Sequence, residues 1–175
     1  MNKEFFDETL KFVKSGDSVL DLGAGNGSKT ERFLEKGARV RAVEKKIVDS
    51  PNLRINWVEA RIEDYAPHML PRELYDMIFI ANVIQFLDKQ WVLETLFPTL
   101  QNHLLPQGVI AVETFFQHPK PSIGGVEDLY SLKELLPLFD GWHILLSQQF
   151  DADRLDLKGN MRHFYLTDLI VRKRS

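Results

Sequence analysis

The 175-residue sequence contains no cysteine, which excludes disulfide bonds, thiolate metal sites and a cysteine nucleophile. Basic residues are not in excess either, since the net charge is −3, and we expect no positively charged face for a nucleic acid. No run of apolar residues is long enough to cross a membrane. Residues 1–4 lead into charged helical sequence rather than an apolar stretch, so we predict no signal peptide and a cytoplasmic location.

Two kinds of catalytic site are also missing. No Gly-x-Ser-x-Gly motif is present, which argues against serine hydrolase chemistry. The histidines are scattered, and no two of them have the i, i+4 spacing of metal ligands. We therefore predict no catalytic metal. The histidines are His68, His103, His118, His143 and His163.

Short apolar runs alternate with amphipathic ones along the chain, and the length fits a single domain over residues 1–175. Predicted strands cover 18–22, 40–43, 53–58, 77–81, 109–112, 143–150 and 163–171; predicted helices cover the first dozen residues, 28–36, 89–104 and 131–139. Alternation of this kind predicts an α/β fold with a doubly wound, mostly parallel sheet that binds ligands at the carboxyl ends of its strands. The last two strands have only polar sequence between them, at 151–160, which predicts a C-terminal antiparallel β-hairpin.

The segment from Val19 to Gly27 is the most informative part of the sequence. Its alternate glycines allow a sharp turn from strand to helix and let a ligand approach the backbone without meeting a Cβ atom. Glu44 ends the next predicted strand about 20 residues later, the usual interval between a nucleotide-binding loop and the carboxylate that holds its ribose. Together the two features predict a site for a nucleotide-like ligand.

The details of the loop favour S-adenosylmethionine (SAM) over NAD. In the dinucleotide fingerprint the third glycine falls where Ser28 stands, whereas here Gly27 comes one residue early. Asp21, just before the loop, would repel a pyrophosphate but suits the ammonium and sulfonium groups of SAM. An NAD(P)-dependent oxidoreductase and a non-catalytic binding protein with the same fold remain open as alternatives.

The sequence resembles class I SAM-dependent methyltransferases over almost its whole length. Residues 19–27 resemble their first motif, Glu44 their ribose-binding acid, residues 75–87 their fourth strand with its following loop, and residues 104–110 the turn into their fifth strand. The resemblance implies a seven-stranded Rossmann-like sheet, SAM as cofactor and S-adenosylhomocysteine as product. It assigns cofactor contacts to Asp21, Gly23, Ala24, Gly25, Gly27, Glu44, Lys45, Arg61, Ile62 and Asn82.

Two local features refine this resemblance. The loop at residues 83–89 is similar to that of tellurite-resistance methyltransferases and their small-molecule relatives, in which a histidine is common where Gln85 stands. The family often has an adenine-binding aspartate where this chain has Arg61. We therefore expect the adenine contact to come from the backbone and side chain of Ile62.

The methyl acceptor is predicted to be a small molecule, because the chain has neither a basic face nor room for a separate recognition domain. We expect in-line methyl transfer in a monomer or homodimer, and no catalytic residue is assigned. Phe115 and Phe116 are predicted to follow the fifth strand, and 118–125 to form a loop. The predicted acceptor site consists of Gln85, Phe86, Phe115, Phe116, His118 and Tyr130.

Overall fold

The computed structural model describes residues 4–49, 51–156 and 158–175. Residues 1–3, used above to predict the absence of a signal peptide, and Leu157, in the predicted hairpin turn, lie outside these ranges. The described residues form one seven-stranded sheet in the order β3-β2-β1-β4-β5-β7-β6. Its strands are β1 Ser18–Leu22, β2 Arg39–Glu44, β3 Asn56–Glu59, β4 Tyr75–Ala81, β5 Leu104–Lys120, β6 His143–Leu155 and β7 Met161–Arg172.

Strand direction follows the predicted pattern. β1 to β5 pair in parallel, whereas β7 runs antiparallel to both β5 and β6. The chain reverses its order between β1 and β4, which places a topological switch point at the carboxyl ends of these two strands. The doubly wound sheet with its terminal hairpin is therefore confirmed.

Short helices cover both faces of the sheet. They are α1 Phe5–Leu10, α2 Ser28–Glu35, α3 Ile62–Tyr65, α4 Lys89–Trp91, α5 Phe97–Asn102 and α6 Leu132–Leu135. Pro98 was predicted to kink or divide the helix at 89–104. In the structure a π-helical turn, Val92–Leu96, separates α4 from α5 just before this proline. Proline removes an N–H group and crowds the carbonyl four residues earlier, and the wider π turn accommodates both effects.

Two apolar clusters enclose the sheet, one on each face. Residues alternate along β4, so that Ile78 and Ile80 belong to one cluster while Met77 and Phe79 belong to the other. The first cluster packs against α3 to α6 and the second against α1 and α2. Burial on both faces explains why β4 is apolar throughout.

β5 is much longer than predicted, and the prediction that Phe115, Phe116 and His118 follow this strand is wrong. The predicted strand ended at Val112, but β5 continues to Lys120. Phe115, Phe116 and His118 therefore lie within a strand rather than in a loop after it. The extension exists because β7 pairs with β5 as far as Lys120, a long-range contact that a local apolar pattern does not reveal.

Within the described part of the chain, no helix has the length and apolar character needed to span a membrane. The longest α-helix there, α2, has 8 residues. The same residues contain no group of three or more His, Asp or Glu side chains arranged to hold a metal ion.

Candidate cofactor and acceptor site

The loop after β1 is tied to the neighbouring strand β2. The N–H groups of Gly23 and Ala24 both donate to the carbonyl oxygen of Val43, at 2.9 and 3.2 Å. Gly23, Gly25 and Gly27 all have positive φ, at 76°, 58° and 81°, a region that other residues rarely adopt. The alternate glycines are thus required by the backbone conformation, as the sequence predicted.

Gly23 and Gly25 differ in the space that a side chain would have around them. A Cβ atom on Gly23 would lie 2.7 Å from Cγ2 of Val83, so this glycine allows the loop to pack against the segment after β4. A Cβ atom on Gly25 would meet nothing within 4 Å. Gly25 therefore borders open space at the carboxyl ends of the strands, where a ligand can approach the backbone closely.

Glu44 lies at the end of β2 and contacts this loop directly. Its Oε2 accepts a hydrogen bond from the Gly25 N–H at 2.8 Å, and its Oε1 accepts one from the Lys45 N–H at 2.9 Å. A carboxylate offers about four acceptor positions, so the half-buried Glu44 retains capacity for the two hydroxyl groups of a ribose. The residues present therefore fit the adenosine part of SAM.

Asp21 lies beneath the loop rather than at its open side. It is buried, and its Oδ2 accepts a hydrogen bond from the Thr30 hydroxyl at 2.6 Å. Burial raises its pKa to about 6, while Thr30 and Lys29 oppose that rise. Asp21 thus links β1 to α2 beneath the loop and carries mostly negative charge at neutral pH. Its contact with a ligand stays a prediction.

The residues predicted to contact adenine occupy the same edge of the sheet. Arg61 follows β3 and is exposed, with its guanidinium 2.8 Å from Glu63. Ile62 begins α3, and its side chain packs in the apolar core. As the first helical residue, it does not use its N–H group within the helix. Lys45 is exposed at the end of β2.

Asn82 follows β4 and adopts a left-handed conformation with φ of 56°. Its Nδ2 donates to Oε1 of Glu113 at 2.6 Å, and its backbone N–H donates to the carbonyl oxygen of the same residue at 2.8 Å. The Oδ1 atom of Asn82 is buried without a hydrogen-bond partner. An unpartnered buried acceptor is costly, which marks this position as a candidate contact for a ligand.

Glu113 is not among the residues that the sequence predicts for this site. It is 2% exposed, and its Oε2 lies 3.0 Å from Nη1 of Arg154, while Lys29 Nζ lies 3.9 Å from its Oε1. Asp168, also buried, stands directly opposite Glu113 in the β5–β7 pairing. A signal was present: Glu113 follows the apolar run at 109–112 in the same way that Glu44 follows the predicted strand at 40–43.

The predicted acceptor residues divide into two groups. Gln85 and Tyr130 are fully buried: Gln85 Oε1 accepts from the Thr114 hydroxyl at 3.1 Å, and the Tyr130 hydroxyl donates to the Ile84 carbonyl at 3.3 Å. Gln85 Nε2 is left without a partner. Their burial gives these two side chains little surface for a ligand in this conformation.

The other acceptor residues lie on or near the extended part of β5. Phe115 packs in a small core with Phe164, whereas Phe116 makes an edge contact with Tyr165, with ring centroids 5.9 Å apart. His118 is exposed, and Phe86 is 37% exposed. The structure therefore does not gather all six residues around one pocket, and a role for each in acceptor binding stays a prediction.

The chain is similar to known methyltransferases in sequence and in fold. No family model matches the sequence. The trans-aconitate 2-methyltransferase of Azoarcus sp. (strain BH72) is 32% identical over 115 residues, which cover 60% of this chain and 42% of that protein. The chain spans less than half the length of the curated relatives it matches, and these relatives are methyltransferases.

Solved structures match over nearly the whole chain. TehB from Haemophilus influenzae gives a TM-score of 0.76 at 18% identity, covering 97% of this chain and 61% of TehB. The chain has the class I methyltransferase fold. A methyltransferase-fold structure from Burkholderia thailandensis, 1,6-didemethyltoxoflavin-N1-methyltransferase with 1,6-didemethyltoxoflavin and S-adenosylhomocysteine bound, gives a TM-score of 0.64 at 19% identity, covering 92% of this chain and 72% of that one. The resemblance to class I SAM-dependent methyltransferases that the sequence predicted is confirmed.

Proposed function

We propose that this chain binds SAM at the loop after β1 and transfers its methyl group to a small-molecule acceptor. One observation carries the proposal: the Gly25 N–H donates to Glu44 at the open edge of the sheet. In this contact the Gly25 turn, which borders open space, lies beside a carboxylate able to hold a ribose. The methyltransferases among the curated relatives support the same activity.

Each part of the cofactor has a proposed contact. Glu44 accepts hydrogen bonds from the ribose hydroxyls, and Gly25 allows close approach of the adenosine to the backbone. Ile62 contributes its backbone N–H to adenine. Asp21 supplies negative charge beneath the loop, which favours a cationic ligand over a pyrophosphate.

Bound SAM supplies an electrophilic methyl group on a sulfonium. The role of the protein in such a reaction is to hold the acceptor atom in line with the carbon–sulfur bond and to exclude water. A lone pair of the acceptor forms the new bond while the electron pair of the broken bond moves to sulfur. A general base is required only where the acceptor must also lose a proton.

A small acceptor is proposed from both the sequence and the relatives. Trans-aconitate and 1,6-didemethyltoxoflavin, the small molecules in the names of two similar proteins, are consistent with this class. Small-molecule sites are mostly apolar with a few polar groups. Apolar side chains are mixed with a few polar ones in residues 82–88, after β4, and in residues 113–118 of β5. A cytoplasmic location and a monomeric or homodimeric state stay predictions.

Methyl transfer is tested by incubating the chain with SAM and a panel of thiols, amines, carboxylates and oxyanions. We expect release of S-adenosylhomocysteine that depends on both the chain and one class of acceptor. Gly25→Val serves as the inactive control, because its side chain would fill the cofactor approach. If the parent chain and this variant released the product equally across the whole panel, the proposed activity would be wrong.

A further inference from the structure

A buried polar cluster lies beside the cofactor loop, at the carboxyl end of β4 and in the middle of β5. We name it the Glu113 cluster, after its central residue. Glu113 receives a hydrogen bond from Asn82 at 2.6 Å and one from Arg154 at 3.0 Å. Lys29 lies 3.9 Å away and Asp168 stands opposite on β7. The cluster therefore unites residues from β5, β6 and β7, from the segment after β4 and from the first turn of α2.

The carboxylate of Glu113 determines how the Asn82 amide is oriented. A carboxylate only accepts hydrogen bonds, so the amide must turn its NH₂ group toward Glu113. Its oxygen, Oδ1, then points away and is left buried without a donor. Arg154 keeps Glu113 in place by donating to its other oxygen. The network thus leaves one buried acceptor atom of Asn82 without a donor in this conformation.

A second unpartnered oxygen belongs to the same cluster. Asp168 is fully buried; its Oδ2 accepts from Gln148 Nε2 at 2.8 Å, while its Oδ1 has no partner. In the carboxylate form both unpartnered atoms, Asn82 Oδ1 and Asp168 Oδ1, are acceptors beside a further carboxylate. A neutral primary amine carries two N–H donors and keeps a lone pair, whereas an alcohol has one O–H donor and a carboxylate has none. Nitrogen ligands therefore fit this arrangement best.

The Glu113 cluster and the predicted adenosine contacts lie on opposite sides of β1 in the sheet. Glu44 lies on β2, on one side of β1, whereas Asn82, Glu113 and Asp168 lie on or after β4, β5 and β7 on the other side. Val83, next to Asn82, packs against Gly23 of the cofactor loop. The cluster accordingly borders the loop from the side on which the acceptor is expected.

We propose that the methyl acceptor is an amine whose N–H group is bound by Oδ1 of Asn82, with Glu113 as the positioning residue that orients this amide. This proposal replaces the cofactor contact that the family resemblance assigns to the Asn82 side chain. The proposal rests on the proposed SAM-dependent function. The amine nitrogen uses its lone pair to form the new N–C bond as the S–C bond breaks, and the electron pair of that bond moves to sulfur. The N–H proton that the nitrogen then loses passes to water.

The probes are benzylamine, phenethylamine and N-methylphenethylamine, each assayed beside 2-phenylethanol, 2-phenylethanethiol and 3-phenylpropionate. Asn82→Gly removes the contact while tolerating the left-handed backbone, and Gln107→Gly is its matched control. Gln107 is the other described non-glycine residue with positive φ, at 65°, and is exposed. Glu113→Gln keeps the shape of the positioning residue but allows the Asn82 amide to turn over.

We expect the parent chain to methylate amines at least about tenfold faster than the matched alcohol, thiol and carboxylate, the factor that corresponds to one good hydrogen bond. Asn82→Gly and Glu113→Gln should each raise the KM for the amine about tenfold or more. Both should leave the dissociation constant of S-adenosylhomocysteine within about twofold of the parent value, and Gln107→Gly should change neither quantity.

Three outcomes overturn the proposal. One is that the chain binds S-adenosylhomocysteine but methylates the oxygen, sulfur or carboxylate probes in preference to every amine, or methylates no amine at all. Another is a loss of S-adenosylhomocysteine affinity in Asn82→Gly with an unchanged KM for the amine, which would assign Oδ1 to the cofactor ammonium. Failure of the parent chain to bind S-adenosylhomocysteine removes the proposed function itself, and this inference with it.

Discussion

The backbone N–H of Gly25 donates to the Glu44 carboxylate at 2.8 Å, which connects the loop after β1 to the end of β2. The two residues are separated by 19 positions in the sequence, and the parallel pairing of β1 with β2 brings them together. The contact holds the carboxylate and the open turn in one arrangement before any ligand binds. Both residues are accordingly the first targets for mutation.

Glu44→Ala should weaken binding of S-adenosylhomocysteine while leaving the fold intact. Loss of hydrogen bonds from a carboxylate to the ribose should cost about 1.5–3 kcal/mol, or roughly ten- to a hundredfold in the dissociation constant. Isothermal titration calorimetry measures this change. Glu35→Ala, which removes an exposed carboxylate from the end of α2, controls for the loss of charge and should bind like the parent. Equal affinity in both variants would contradict the assignment of Glu44.

Gly25→Val should reduce binding further, because a branched side chain would enter the open space beside the loop. The substitution also strains the backbone, since φ at Gly25 is 58°. Gly159→Val is the matched control: Gly159 has φ of 79° and open surroundings, but lies at the distant hairpin turn. Calorimetry should show that only Gly25→Val loses S-adenosylhomocysteine binding. Similar losses in both variants would mean that strain alone explains the effect.

Stability should depend on pH through Asp168. Burial, and next the charge of Glu113, raise its pKa from 3.8 to about 7, although Gln148 and Arg154 oppose the rise. Between these two values the native state holds a proton that the unfolded state has released. The free energy of unfolding therefore decreases as pH rises through this window, by at most about 1.4 kcal/mol per unit for one group.

Asp168→Asn should remove this contribution. Urea unfolding at about pH 5 and about pH 8 should show the variant gaining stability relative to the parent at the higher pH. The asparagine oxygen can still accept the hydrogen bond from Gln148. Asp21, whose pKa is raised to about 6, is present in both proteins and cancels in the difference. An identical pH dependence in parent and variant would show that Asp168 is ionised throughout.

The extended part of β5 can be tested for acceptor binding with Phe116→Ala and His118→Ala, made separately. Phe116 is half-buried and His118 is exposed, so neither change opens the main core. We expect lower turnover of the methylated acceptor and an unchanged affinity for S-adenosylhomocysteine in at least one variant. Steady-state kinetics supply both KM and kcat. Parent-like turnover in both variants would remove this surface from the site.

Local sequence predicted some elements well, for physical reasons. β4 was identified because burial on both faces makes every residue apolar. The predicted fifth strand ends at Val112, because the charged Glu113 that follows the apolar run resembles the end of a strand. Its continuation depends on pairing with β7, which lies about 50 residues away in the sequence. The very short α3 was missed, because four residues give no helical period.

The proposed cofactor side and the proposed acceptor side of the site also differ in how far local sequence predicts them. The glycines and Glu44 follow a fixed spacing along one β-α-β unit, so sequence alone locates them. Glu113 and Asp168 meet only through antiparallel register between β5 and β7, which no local pattern specifies. The hydrogen bond between Asn82 and Glu113 likewise crosses from one strand end to the next. The sequence therefore predicted the geometry of the loop after β1 more fully than that of the cluster around Glu113.

Calorimetric titration with SAM, S-adenosylhomocysteine and NAD in parallel tests the central claim most directly. The early third glycine and the buried negative charge of Asp21 should favour the sulfonium cofactor over a pyrophosphate. The account predicts saturable binding of SAM and S-adenosylhomocysteine and no binding of NAD at the same concentrations. Binding of NAD with no heat from either adenosyl compound at millimolar concentration would contradict it.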